Sequence, residues 1–214
     1  MAAAGLASAN FHTWEIAELY SNADGTIQFV QLRETLGAAG EHLLAGRALT
    51  VTRAGGVAKS YVFPNDLPSP NTANRYVLIA TQGYVDAGAT YGEFRSAMPD
   101  YVMPNQFLPT DGGTINYAGV DSVSFGPLPV DGSLALYTPV SGSYLDVNVA
   151  RSFAGGVATL PTLAVTAVEY TTRRCATTSS ATCSPTSTPW TPAGSPDGPA
   201  RAFRSTCLPT PARD

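Results

Sequence analysis

From Trp14 to Tyr137 the chain is a series of short alternating segments, each closed off by Gly, Pro, Asn or Asp within a few residues. This punctuation constrains the fold more than any other feature. An amphipathic helix needs an apolar stripe sustained over roughly ten residues, whereas a half-buried strand needs only about four to eight alternating positions. The expected strands are Trp14–Tyr20, Ile27–Arg33, Ala48–Arg53, Lys59–Phe63, Tyr76–Thr81, Gly113–Tyr117, Ser122–Phe125 and Ser133–Tyr137. Gly55-Gly56, Pro64-Asn65-Asp66, Asp111-Gly112-Gly113 and Asp131-Gly132 separate them. Asp24-Gly25 supplies the positive-φ residue that a hairpin needs. Short strands spaced this way predict a sandwich or barrel.

In the second strand Ile27, Phe29 and Gln31 share one face, and Gln28, Val30 and Leu32 the other. The partly apolar second face predicts that both sides are covered. Plain alternation in the first strand puts Glu18 on the face of Ile16 and Tyr20. Ala87–Pro109 is less regular and reads as a long irregular loop packed on the sandwich, with room for a short helix. The pentapeptide Ala-Gly-Gly-Val-Ala occurs at 54–58 and 154–158 and reads as two glycine turns.

The chain changes character at Tyr170. From Thr171 to Asp214, 23 of 44 residues are Ser, Thr or Pro, and all three cysteines (Cys175, Cys183, Cys207) lie there. The expected organisation is a signal-peptide remnant or disordered N-terminus over 1–13, a β-sandwich domain over 14–170 and a disordered Ser/Thr/Pro-rich tail over 171–214. A unit of about 150 residues buries enough surface to fold without a metal or disulfide, so no cofactor is expected. Ala7-Ser8-Ala9 has the A-x-A form of a signal-peptidase site, which predicts export to the cell surface, periplasm or medium. Net charge is −4, with 11 Arg and the single Lys59, and there is no basic stripe, so no nucleic-acid partner is expected. No apolar run reaches the length of a membrane span.

No residue pattern announces a reaction. His12 and His42 fit neither H-E-x-x-H nor a tight zinc pair, and no G-x-S-x-G elbow, P-loop or G-x-G-x-x-G is present. No catalytic or cofactor-binding residue is assigned. Asn22-Ala23-Asp24-Gly25-Thr26 has alternate oxygen-bearing side chains, which makes Asn22 and Asp24 the calcium candidates against an Asx-type hairpin turn. A hydrolase would draw on Asp86, Glu93 and Asp100. Tyr84, Tyr91, Phe94, Tyr101 and Phe107 form either a carbohydrate-stacking patch or a small core beneath the loop. Cys175 and Cys183 could pair, which would leave Cys207 over.

Ile16, Glu18, Leu19 and Tyr20, followed by Phe29-Val30-Gln31-Leu32, resemble the opening of a lamin-tail-type domain. Leu44-Ala45-Gly46, Val62-Phe63-Pro64 and Tyr76-Val77-Leu78-Ile79-Ala80 fit the next pieces in order, over about residues 14–125. Gln31 departs from the family, which usually has Glu there. The resemblance implies an immunoglobulin-like antiparallel β-sandwich. It also implies a non-catalytic binding or scaffold module of a secreted bacterial protein. The expected partner of such a module is an extracellular protein or polysaccharide. Alternatives are a hydrolase acting on an extracellular polymer, or a surface-structural protein assembling through strand edges. For the tail, GC-rich codons for Glu169 onward, read in a shifted frame, can spell E-Y-H-H-A-A-L-R-H-Y-F-V-S. That string resembles the opening of a module frequent at the C-termini of secreted bacterial proteins, so a frameshifted tail stands beside the linker reading.

Overall fold

The computed structural model describes residues 11–161. The expected signal-peptide remnant over 1–13 lies almost wholly outside those residues, and the tail over 171–214, with Cys175, Cys183 and Cys207, lies outside them. In chain order the elements are β1 (Trp14–Ser21), β2 (Gln28–Glu34), β3 (Ala48–Thr52), β4 (Lys59–Val62), β5 (Tyr76–Thr81), α1 (Gln82–Thr90), α2 (Gly92–Arg95), β6 (Tyr101–Met103), β7 (Gly113–Tyr117), β8 (Asp121–Phe125), β9 (Leu134–Tyr137), β10 (Tyr144–Val147), β11 (Ala150–Arg151) and β12 (Val157–Ala158). One sheet has the order β10-β9-β1-β2-β5-β6, a second the order β4-β3-β7-β8, and β11 and β12 form a small hairpin. The fold is an all-β sandwich, antiparallel except where β6 joins β5.

The first core lies between the two large sheets. Trp14, Ile16, Leu19, Val30, Leu32, Val77 and Ile79 come from the six-stranded sheet, and Leu49, Val51, Ile115, Tyr117 and Phe125 from the four-stranded one. A second core lies on the outer face of the six-stranded sheet, where Tyr20, Phe29, Leu78 and Ala80 pack against Tyr84, Phe94, Ala97, Ala150, Ala158 and Leu160. The six-stranded sheet is therefore covered on both faces, as the apolar second face of β2 predicts.

Two local expectations need correction. Plain alternation fails in β1, because a bulge at Ala17 shifts its register on β2 between Ile16 and Glu18. The extra residue reverses the facing of everything after it. Ile16 and Leu19 thus share the inner core, while Glu18 goes with Tyr20 to the outer face. The bulge's broken ladder is repaired from outside: Ile16 N–H donates to Asp121 Oδ2 at 2.7 Å, Thr138 Oγ1 donates to the Ile16 carbonyl at 2.6 Å, and Thr138 N–H donates to the Ala17 carbonyl at 3.0 Å.

The second correction concerns Ala87–Pro109. It holds the end of α1, all of α2 and the three-residue β6, which pairs parallel to β5. A parallel neighbour needs a crossover, and α1 and α2 provide it. Gly83 lets α1 start against the β1–β2 turn, since a Cβ there would stand 2.3 Å from the Thr26 carbonyl oxygen. The Ala-Gly-Gly-Val-Ala repeats do fall at turns, one between β3 and β4 and one between β11 and β12.

Candidate functional site

A strap of chain, 148–153, crosses the outer face of the six-stranded sheet. Its alternate backbone N–H groups point at the sheet, and buried backbone donors must find partners. Val149 N–H donates to Glu18 Oε1 on β1 at 2.8 Å, Arg151 N–H to Gln31 Oε1 on β2 at 2.7 Å, and Phe153 N–H to Asp100 Oδ2 beside β5 and β6 at 2.8 Å. Asp100 Oδ2 also accepts Leu78 N–H at 2.8 Å, and Arg75 Nη1 donates to the Phe153 carbonyl at 2.8 Å. At the start of the strap, Asn148 Nδ2 donates to the carbonyls of Gly132, Ser133 and Leu160, while its Oδ1 accepts Leu160 N–H at 2.7 Å.

Glu18 is fully buried, and its Oε2 has no hydrogen-bond partner. Burial pushes its carboxyl up to about 7, against the opposing pull of the Val149 N–H and the charge of Arg151. Burial also raises the Asp100 carboxyl, opposed by the N–H groups of Leu78 and Phe153.

Beside the strap lies an open groove of about 370 Å³, lined by Glu15, Gln31, Arg33, Tyr76, Tyr137, Tyr144 and Arg151 among others. The bulge residues Ile16 and Ala17 also border it. Arg33 sits directly across from Tyr76 in the β2–β5 ladder, with its guanidinium 5.7 Å from that ring. The Arg151 guanidinium lies 5.2 Å from the same ring. Tyr137 and Tyr144, opposite each other on β9 and β10, stack at 5.3 Å and 7°, and Tyr144 is 51% exposed. The groove thus joins flat aromatic surface to two cations, an arrangement suited to binding rather than to bond breaking.

Sequence-level candidates fall elsewhere. Asn22 Oδ1 accepts Ile27 N–H at 3.0 Å, and Asp24 Oδ1 accepts both Thr26 N–H at 2.9 Å and Thr26 Oγ1 at 2.6 Å. Their oxygens close the β1–β2 turn, and the Thr26 bonds hold the Asp24 carboxyl below its ordinary value. Asp86 and Glu93 are exposed on α1 and α2, with Asp86 accepting Gln82 Nε2 at 2.9 Å, whereas Asp100 is committed to two backbone N–H groups. His12 N–H donates to Glu41 Oε2 and its ring lies 4.0 Å from Phe11, while His42 Nδ1 lies 3.0 Å from the Gly40 carbonyl. Tyr84, Phe94, Tyr101 and Phe107 are buried, so the aromatic cluster is core and only Tyr91 is exposed. Among the described residues no group of three or more His, Cys, Asp or Glu is placed to hold a metal, and no helix is long and apolar enough to cross a membrane.

Sequence reasoning missed the groove. Its residues span Glu15 to Arg151, and no local motif joins them. No family model matches this chain, and no curated protein matches it.

Proposed function

We propose that this chain is a non-catalytic binding or scaffold module of a secreted bacterial protein, of lamin-tail type, and that the groove beside the strap is its recognition surface. The carrying observation is the meeting of Tyr76, Tyr137, Tyr144, Arg33 and Arg151 in one groove of the six-stranded sheet. Tyr and Arg dominate recognition surfaces because each gives a large contact area with a polar end. The ordered pieces from Ile16 to Ala80 support the family reading, and Ala7-Ser8-Ala9 supports export. The side chains of Glu18, Gln31, Asp100 and Arg75 that hold the strap supply a rigid base for the groove, as a binding site requires.

The test is retention against turnover. The full chain and its Tyr144→Ala variant are mixed with a panel of extracellular polysaccharides, and bound protein and newly released reducing ends are measured together. Retention by the parent, loss in Tyr144→Ala and no released ends support the module. Steady release of reducing ends by the parent overturns it in favour of a hydrolase.

A further inference from the structure

We infer that the groove is an acidic-sugar subsite: it takes a uronate residue of an anionic polysaccharide, with the carboxylate at Arg33 and Arg151 and the pyranose ring against Tyr144. This deepens the binding-module reading and rests on it.

Four observations converge on this ligand. First, neither guanidinium group is held in an ion pair, although both lie over the Tyr76 ring. The ion pair among the described residues is Arg53–Asp111, so neither Arg33 nor Arg151 is paired. Arg151 makes one long side-chain bond, from Nη1 to the Val149 carbonyl at 3.4 Å. Guanidinium groups with open N–H edges bind carboxylates through paired, charge-assisted hydrogen bonds. Glu15 is the cross-strand partner of Arg33 and the one acid lining the groove, yet it forms no ion pair with it. A ligand carboxylate therefore displaces water from Arg33 and breaks no ion pair.

Second, Gln31 is only 1% exposed and lines the groove. Its Oε1 accepts Arg151 N–H, and among the described residues its Nε2 donates to no protein group. A neutral amide, and not a further charge, therefore backs the groove wall beside Arg151.

Third, the Tyr137–Tyr144 stack forms a flat ledge at the groove's rim rather than a deep apolar pocket. A flat ring face suits the C–H face of a pyranose, and an open groove suits a residue within a longer polymer.

Fourth, an extended acidic peptide is disfavoured by the edge it would have to join. Strand addition needs free main-chain groups on the outer strand. On β10, Val147 N–H already donates to Asp146 Oδ1 at 2.7 Å, and the Val147 carbonyl already accepts Tyr137 Oη at 2.8 Å. The edge is capped at Val147, which works against strand addition there and favours a ligand held through side chains.

The test is calorimetric titration of the full chain with trigalacturonate, with its fully methyl-esterified form and with a short single-stranded DNA. We expect the acid to bind and the ester to bind at least about tenfold more weakly, the loss set by charge-assisted hydrogen bonds. Arg33→Gln and Arg151→Gln each weaken the acid about tenfold and leave the ester unchanged, and Tyr144→Ala weakens both. The strap is held through the Arg151 backbone and Arg33 is exposed, so both variants keep the fold. Equal binding of acid and ester, or of DNA and trigalacturonate, overturns the inference. Tyr144-dependent retention of another polymer with no binding of trigalacturonate overturns it too, but leaves the binding-module reading standing. Retention of every polymer unchanged by Tyr144→Ala overturns both.

Discussion

The backbone N–H of Val149 donates to the buried Glu18 carboxylate at 2.8 Å, across 131 residues of chain. A carboxyl raised by burial from 4.5 to about 7 holds its proton more tightly in the folded protein than in the unfolded chain. Stability therefore falls as pH rises from about 4.5 to about 7 and is level above that, by on the order of 3 kcal/mol for this group. Glu18→Gln keeps the acceptor and removes the charge. Its melting temperature is expected to match the parent near pH 4 and to exceed it near pH 8. A variant with the parent's slope across that window refutes the assignment.

Gln31 is the Cα partner of Glu18 in the β1–β2 ladder, and it holds the strap through an amide oxygen. Gln31→Leu leaves the Arg151 N–H without an acceptor and is expected to cost about 1–3 kcal/mol in denaturant unfolding. Gln31→Glu restores an acceptor but sets a second buried carboxyl beside Glu18. The expected result is a loss of stability at neutral pH that recovers in acid. Equal stability of the Glu variant at both pH values counts against the pairing.

Gly156 closes the turn between β11 and β12 against the end of α2. A Cβ there would stand 2.2 Å from the Ser96 carbonyl oxygen, a backbone atom that cannot swing away. Gly156→Ala is expected to destabilise by about 1–3 kcal/mol through overpacking. Hydrogen exchange should rise first at Ser152 and Phe153. Unchanged exchange at those amides rules out the clash.

The Asn22 and Asp24 oxygens, the calcium candidates, accept the hydrogen bonds that close the β1–β2 turn. A chelator is expected to leave the melting temperature unchanged. Asp24→Ala is expected to lose up to about 1 kcal/mol through the Thr26 bonds alone. A calcium-dependent rise in melting temperature that Asp24→Ala abolishes reopens the metal reading.

Strands with clean alternation between turn residues were legible from sequence. Tyr76–Thr81 and Gly113–Tyr117 match their expected bounds. What escaped was set by distant partners. The bulge at Ala17 depends on Asp121 and Thr138, more than a hundred residues away, so alternation alone misplaced Glu18. β6, β11 and β12 are three or two residues long, too short to show a period. The strap has no pattern of its own because its hydrogen bonds end on side chains of β1, β2 and the approach to β6. Groove residues stayed invisible for the same reason: Arg33 and Arg151 look like ordinary surface cations until β5 brings Tyr76 between them.

The strap's attachments also set how the domain responds to a pull. Tension applied to the chain beyond Leu160 reaches the Asn148 side chain first, then the β11–β12 pairs, then Asp100, Gln31 and Glu18 in turn. Because the strap crosses the strands, these bonds are loaded one after another and open like a zipper. The β1–β2 ladder lies outside this load path until the last of them has opened. A tether at this end would therefore pay out slack by peeling the strap and exposing the second core, while the inner sandwich stayed folded.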